Sequence, residues 1–347
     1  IGSISAIHFS TTNSINNTGT IKDEITGIRV EENSHVGNID NSGTIEGGLA
    51  AILAPEADSN SIYSINLLGT DARLIGDVYA PSATVAIKYG AVFSTENAYA
   101  VQGFIIENGA MLNMGIGNST TGDLASGITV SNALDNFGTL NLASGVTGTL
   151  HGDYQQSNSG LLRIGVASDS SYGKLVVDGT ATLASNAKIE VDVSNPNYSF
   201  SAKSLQDVLS ANTLNSDGSF AVSDNSQLFD FGAVKDGNTV DLTLVKSSSV
   251  LDSVINTGNS PARGAAGVLD EAIGNDPDGE LAGYFVGLSS EQEVSDAVTQ
   301  TLPTVAGNTS NAIGNTLSGI NRVIQARQGD NSGLSSGDAP QAEDNLW

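Results

Sequence analysis

The sequence predicts an all-β chain coiled as a parallel β-helix, and three observations carry that expectation. One turn motif returns through the first 150 residues. Between its copies, apolar and polar residues alternate at period two. Past residue 249 the apolar period changes to 3.6, which adds a helical segment behind the strands.

The motif is a polar residue or two, Gly, a small residue, then a branched apolar one. It reads Asn17-Thr18-Gly19-Thr20-Ile21 and Asn41-Ser42-Gly43-Thr44-Ile45 in two near-identical copies. Looser copies follow at Leu68-Gly69-Thr70, Tyr89-Gly90-Ala91-Val92, Asn108-Gly109-Ala110-Met111 and Asn136-Phe137-Gly138-Thr139-Leu140. Their glycines lie between 19 residues apart (Gly90 to Gly109) and 29 apart (Gly109 to Gly138), a spread that fits a solenoid with variable loops. Gly and Asn accept the left-handed backbone of a sharp corner. Leu140 and Leu142 alternate with Thr139, Asn141 and Ala143, as in a strand with one buried face. Stacked coils place like residues above like, so that each coil buries its inner face on the next. Residues 1–150 are therefore read as a parallel β-helix stem. A β-sandwich also gives short alternating strands, but does not explain the return of one turn motif.

Residues 151–248 read as a β-rich cap. Leu161, Ile164 and Val166 suit one strand, Leu175, Val176 and Val177 a second, and Ile189, Val191 and Val193 a third. Leu205, Val208 and Leu209 have helical spacing, which predicts a helical interruption over 204–214. Leu228, Phe229 and Phe231, then Val240, Leu242 and Leu244, return to strand around a hairpin turn at Lys235-Asp236-Gly237-Asn238.

Residues 249–327 form the helical segment. Val268, Leu269, Ala272 and Ile273 make one stripe; Leu281, Tyr284, Phe285 and Leu288 make another. Ser290-Glu291-Gln292-Glu293 has the form of a capping box. Val294, Ala297, Val298 and Leu302 follow as an apolar face, with Pro303 as the stop. Ile313, Leu317, Ile320 and Ile324 share one face of a last helix whose other side is polar and slender, and whose propensity calls for a surrounding wall. Residues 328–347 read as a flexible linker ending at Asn345-Leu346-Trp347, where a new apolar segment begins.

Composition bounds the chemistry. The 347 residues carry 13 Lys plus Arg against 38 Asp plus Glu, a net charge of -25. Nucleic acid is excluded as a partner, because phosphate binding needs clustered cations. Cysteine is absent, which excludes disulfides, thiolate metal sites and cysteine nucleophiles. No run of about 18 apolar residues exists, so nothing reads as a membrane-spanning helix. No signal peptide is visible, and Ile1 opens within strand-like sequence, which reads as a fragment or processed product.

The layout resembles the C-terminal part of the passenger of a bacterial autotransporter (type V secretion), of the pertactin-like or AIDA-like kind. The Asn-Thr-Gly-Thr-Ile copies are similar to its rung motifs. Gly152-Asp153-Tyr154-Gln155-Gln156, with Gly160-Leu161-Leu162, Tyr172, Leu175 and Gly179-Thr180-Ala181-Thr182-Leu183, resembles the autochaperone signature at the end of the stem. Val250 to Gln328 resembles the helical connector before the translocator barrel, and the final Leu-Trp resembles the barrel's first strand. The resemblance implies a right-handed parallel β-helix, export to the bacterial outer membrane surface or beyond, and C-terminal coils that fold first. It implies the chain's own C-terminal outer-membrane β-barrel as partner, with a host or neighbouring cell surface as a further one.

No catalytic, cofactor-binding or metal-binding residue is assigned, and no cofactor is expected. The three histidines, His8, His35 and His151, read as turn or surface residues. No Gly-x-Ser-x-Gly elbow lies beside a fitting Asp and His. Oxygen-rich loops at Asp217-Gly218, Asp224-Asn225, Asn275 to Glu280 and Asp330-Asn331 suit calcium in ligand type, but none has a full calcium-loop spacing. Gly115-Ile116-Gly117 opens like a dinucleotide fingerprint, yet Thr120 stands at the third glycine's place. The readings left open are a structural stem with a folding cap, direct adhesion through an exposed Asn, Thr and Ser ladder to a cell or glycan, and the tail of an autotransporter enzyme. The last requires a serine protease or esterase domain before residue 1.

Overall fold

The computed structural model describes residues 4–7, 11–31, 33–55, 61–193, 204–277 and 279–302. The expected helix over 313–324, the stop at Pro303, Asp330-Asn331 and the closing Leu-Trp lie outside the described residues. The chain divides into two compact units, one holding the strands and one holding residues 226–228 with the helices from residue 246 onward.

The first unit is built of strands β1 (Ile4–Ile7), β2 (Thr11–Asn17), β3 (Thr20–Asp23), β4 (Thr26–Val30), β5 (His35–Asn41), β6 (Thr44–Leu53) and β7 (Ile62–Leu67). Then come β8 (Arg73–Ile87), β9 (Val92–Asn97), β10 (Tyr99–Ile106), β11 (Met111–Asn118), β12 (Ile128–Asn136), β13 (Thr139–Leu142) and β14 (Thr147–Gln156). They continue with β15 (Leu161–Val166), β16 (Lys174–Leu183), β17 (Ala187–Val193), β18 (Ser204–Asn215), β19 (Phe220–Asp224), β20 (Phe229–Asp236) and β21 (Thr239–Lys246).

Strands two apart in sequence pair in parallel. From β8 the even strands extend one sheet in the order β8-β10-β12-β14-β16-β18, while the odd strands build a second, β9-β11-β13-β15-β17-β19. At the N-terminal side β2, β5 and β7 pair in turn and lead onto β8. The register stacks like on like. Phe93, Leu112, Leu140, Leu162 and Ile189 form one buried column across the second sheet. Phe104, Leu134, Tyr154 and Ala181 form another across the first. Each fully buried Leu or Ile in such a column contributes about 1.5–3 kcal/mol relative to exposure.

Residue 150 lies inside β14, whose parallel pairing with β12 and β16 continues on both sides of that position, with a register shift against β12 between Thr129 and Ala133. The change comes later, where β21 joins β18 antiparallel after the turn at Gly237 and Asn238. Gly237 has φ +56°, as a hairpin corner requires.

The helical interruption expected over 204–214 is instead strand β18. Its pairing with β21 slips between Leu205 and Leu209, and Asp207 takes a left-handed φ of +57°. This bulge turns Leu205, Val208 and Leu209 all inward, which reproduces helical spacing in an extended chain.

Buried Tyr99 packs edge-on against Phe93 (centroids 6.4 Å) and Phe104 (5.9 Å). Its hydroxyl has no hydrogen-bond partner among the described residues, and burial pushes the phenol's pKa up. Tyr99→Phe removes a desolvated hydroxyl and nothing else. Urea unfolding is expected to show stability unchanged or raised by up to about 1 kcal/mol.

The second unit holds α1 (Val250–Asn256), α2 (Arg263–Asn275), α3 (Glu280–Val286) and α4 (Glu291–Thr299). Val254, Ala266, Ile273, Phe285, Val294 and Val298 are buried. The stripe expected on α2 is corrected by one position. Leu269 and Ile273 face inward with Ala266, while Val268 is 68% exposed. The capping box forms at α4: the Glu293 N–H donates to Ser290 Oγ at 3.2 Å. Glu293 Oε2 accepts from the Ser289 N–H at 2.8 Å, one residue before the cap. At α1, Ser249 caps, and Asp270 of α2 accepts from the Val250 and Leu251 N–H groups and from Lys246 Nζ, each at 2.9 Å. A carboxylate at a helix start satisfies orphan donors and meets the positive end of the helix dipole.

Candidate functional site

The stretch from Gly152 to Leu183 occupies β14, β15 and β16. Its centre is Tyr154, wholly buried, whose hydroxyl donates to Gln156 Oε1 (3.1 Å) and accepts from Asn136 Nδ2 (3.1 Å). Burial pushes the phenol's pKa up, and the Asn136 hydrogen bond opposes that. The two amides reach onward. Asn136 Nδ2 donates to the Leu161 carbonyl (3.1 Å), and Gln156 Nε2 donates to the carbonyls of Gly160 (3.2 Å) and Lys188 (2.9 Å). Three side chains thus tie the ends of β12 and β14 to the starts of β15 and β17. A buried polar group costs about 1–3 kcal/mol when its partner is removed, so the network fixes register rather than merely filling space.

The turn motif explains where Asn136 comes from, and its column continues into Gln156. Asn17, Asn41, Leu67, Ile87, Ile106, Asn136, Gln156 and Leu183 occupy one column. The two near-identical copies place Asn in it. Asn17 Nδ2 donates to Asn41 Oδ1 (2.7 Å) and to the Thr44 carbonyl (3.0 Å), while Asn41 Nδ2 donates to the Arg73 carbonyl (3.2 Å). The loose copies from Leu67 to Ile106 fill the same column with apolar side chains. Their looseness is a change from amide clamp to hydrophobic packing.

The signature glycines serve close backbone approach. A Cβ on Gly179 would stand 2.2 Å from the Gly152 carbonyl oxygen, and Gly152 itself has φ +136°. Beside them the Thr180 N–H donates to Asp153 Oδ1 at 2.8 Å. Tyr172, expected as part of the same signature, donates its hydroxyl to the Gln206 carbonyl (2.9 Å) and lies under Lys174 Nζ, 4.8 Å from the ring centre. Tyr154, Gln156, Tyr172 and Leu175 of the signature are thereby placed in packing or backbone support, while Gln155 and Thr182 face solvent.

A second polar centre escaped the sequence reading. Asp77 of β8 is 2% exposed and accepts six hydrogen bonds. They come from Ala98 N, Ser119 Oγ, and the N–H and hydroxyl groups of Thr120 and Thr121, at 2.8 to 3.4 Å. Burial works against the charge, but the Thr120 N–H, the Ser119 hydroxyl and the remaining donors outweigh it and hold the carboxyl below its usual range. The carboxylate anchors the loop over 119–126. No nearby residue pattern announces it, because Ala98 is 21 positions away and the loop donors 42–44.

The remaining candidates are placed by internal contacts. His35 opens β5, and His151 of β14 sets Nδ1 at 3.4 Å from Asp178 Oδ2, which together with Asn212 forms a solvent-facing row. His8 lies outside the described residues. Asp217 accepts from Ser185 Oγ and the Ser219 N–H, as in an Asx-type turn. Asn225 bonds Val193 and Asp192. Asp276 folds against Gly279, and Glu280 accepts from Tyr284. Among the described residues no three His, Asp or Glu side chains converge on a metal position. Gly117, of the fingerprint-like run, has φ +65° and lets Gly127 approach, with a 2.8 Å hydrogen bond from the Gly127 N–H to the Gly117 carbonyl. Those glycines close a loop rather than cradle a phosphate.

In the second unit a polar cleft of about 530 Å³ is lined by Lys246, Ser247, Ser249, Asp252, Asn256 and Glu291, among others. Lys246 is held by Asp270 and Asn256 by Glu291. Among the described residues no helix is long and apolar enough to cross a membrane.

No protein-family model matches the chain, and no curated protein or solved structure matches it.

Proposed function

We propose that the chain is the C-terminal part of an autotransporter passenger of the pertactin-like or AIDA-like kind. In this reading the alternating sheets are successive faces of a right-handed parallel β-helix stem. The stretch Gly152–Leu183 with β17 to β21 is its autochaperone cap, and the helices lead toward the chain's own outer-membrane barrel. The work of the molecule is to stand at the bacterial outer membrane surface, or be released from it, as a stem supporting adhesion or an N-terminal effector.

The observation that carries the reading is the Asn136–Tyr154–Gln156 network, set in a parallel array that ends on antiparallel β21. An open parallel array has an unpaired edge that templates further pairing, and a terminal unit of different pairing covers it. A network tying β12 and β14 to β15 and β17 gives the C-terminal coils their own register before the N-terminal coils join. A net charge of -25 and the lack of cysteine suit a chain that crosses a narrow pore unfolded and stays soluble beyond it.

The test is to produce residues 128–302 alone, which keeps β12 and Asn136 with the network. The proposal expects a β-rich circular dichroism spectrum, a cooperative unfolding transition, and faster refolding of residues 1–127 when the fragment is added. A featureless spectrum contradicts it.

A further inference from the structure

The outer face of β2, β5 and β7 presents a regular array that the packing does not use. Ser14, Asn38, Ser64 and Thr84 stand in one row, and Asn16, Asp40 and Asn66 in the next. In a flanking row Tyr63 is 67% exposed and lies in register beside Gly37 and Asn13. Neighbouring strands of a sheet are about 4.8 Å apart, which sets the spacing of every row.

The array is held in place by its own contacts. Ser64 Oγ donates to Asn38 Oδ1 at 2.9 Å, and Asn66 Nδ2 donates to Asp40 Oδ1 at 2.6 Å. Those bonds occupy one side of each amide or carboxylate. Among the described residues no hydrogen bond engages Asn38 Nδ2, Asp40 Oδ2 or Asn66 Oδ1. One oriented donor and two oriented acceptors are thus offered outward on a rigid sheet. The adjacent Tyr63 ring adds an apolar plate with few rotatable bonds, so ordering it on a ligand costs little entropy. Preorganised polar groups bind without the rearrangement that weakens mobile ones.

We propose that this face binds a neutral, hydroxyl-rich polysaccharide. Sugar hydroxyls donate and accept at once, which matches mixed carboxylate, amide and hydroxyl rows. The apolar side of a pyranose ring matches the face of Tyr63. A net charge of -25 repels polyanions and selects neutral chains over acidic ones. The proposal goes beyond the stem reading and stands apart from export, so it is tested on the soluble chain and its failure leaves that reading untouched.

The experiment is native affinity electrophoresis of the full chain in gels containing guar galactomannan, hydroxyethyl cellulose or alginate. The expected result is concentration-dependent retardation by a neutral polymer and none by alginate. Tyr63→Ala and Asp40→Ala are each expected to weaken it about fivefold, the size of one lost contact. His151→Ala, outside the array, is expected to leave it unchanged. Tyr63 is exposed, so its truncation keeps the fold and decides the matter should Asp40→Ala unfold. Absence of retardation in both neutral gels, retardation by alginate alone, or full binding by Tyr63→Ala overturns the proposal.

Discussion

Asp77→Ala is expected to lower the unfolding free energy by about 2–4 kcal/mol, because it strips six hydrogen bonds from one buried carboxylate. Loss of protection should begin in the loop. Native-state hydrogen exchange is expected to show the Thr120 and Thr121 amides opening far below the global free energy, while β10 and β12 stay protected. The pH dependence has a definite sign. The folded carboxyl titrates below its unfolded value, so the clamp contributes fully above the ordinary carboxylate range and is lost as pH falls through the lowered folded pKa. A variant whose loop amides exchange as in the parent would show that the carboxylate is not what holds the loop.

Asn136→Ala is expected to cost about 3 kcal/mol. The substitution leaves a void at a position 1% exposed and takes the donor from both the Leu161 carbonyl and the Tyr154 hydroxyl. Tyr154→Phe removes only the hydroxyl and is expected to cost about 1–2 kcal/mol, in contrast to Tyr99→Phe, whose hydroxyl has no partner. The two network substitutions share a hydrogen bond. Their combination is therefore expected to cost less than the sum by about 1 kcal/mol in a double-mutant cycle measured by urea unfolding. Strict additivity would show that the three side chains act separately and that the network does not set register as a unit.

Much of the strand pattern was legible because parallel pairing in register writes the same demand on each successive strand. The alternation at Leu140 and Leu142 and at Ile189, Val191 and Val193 reports directly which side chains are buried. Helix α4 was legible from its cap, as Ser290 and Glu293 announce it within four residues of sequence, and α2 and α3 from apolar stripes. The failures have a common physical form. In β18 a bulge at Asp207 converted an extended segment into helical spacing, and nothing local distinguishes the two. The Asp77 clamp was invisible because five of its six donors lie 42–44 residues on, in a Ser-Thr-Thr loop that resembles any other turn, and the sixth, the Ala98 N–H, lies 21 residues on. Asn136 was seen as part of a turn motif, but its donation to Leu161, 25 residues away, follows only once the strand register is known. The outward rows on β2, β5 and β7 were visible as an excess of Asn and Ser. Their register, and the atoms left free, were not.

The order of folding separates the account from its rivals most directly. In pulse-labelled hydrogen exchange during refolding of the full chain from urea, the proposed cap, with its Tyr154 network and antiparallel end, predicts that amides of β14 to β18 gain protection before those of β2 to β7. Protection that arises in β2 to β7 first, or in all coils at one rate, would contradict the claim that the C-terminal coils template the rest.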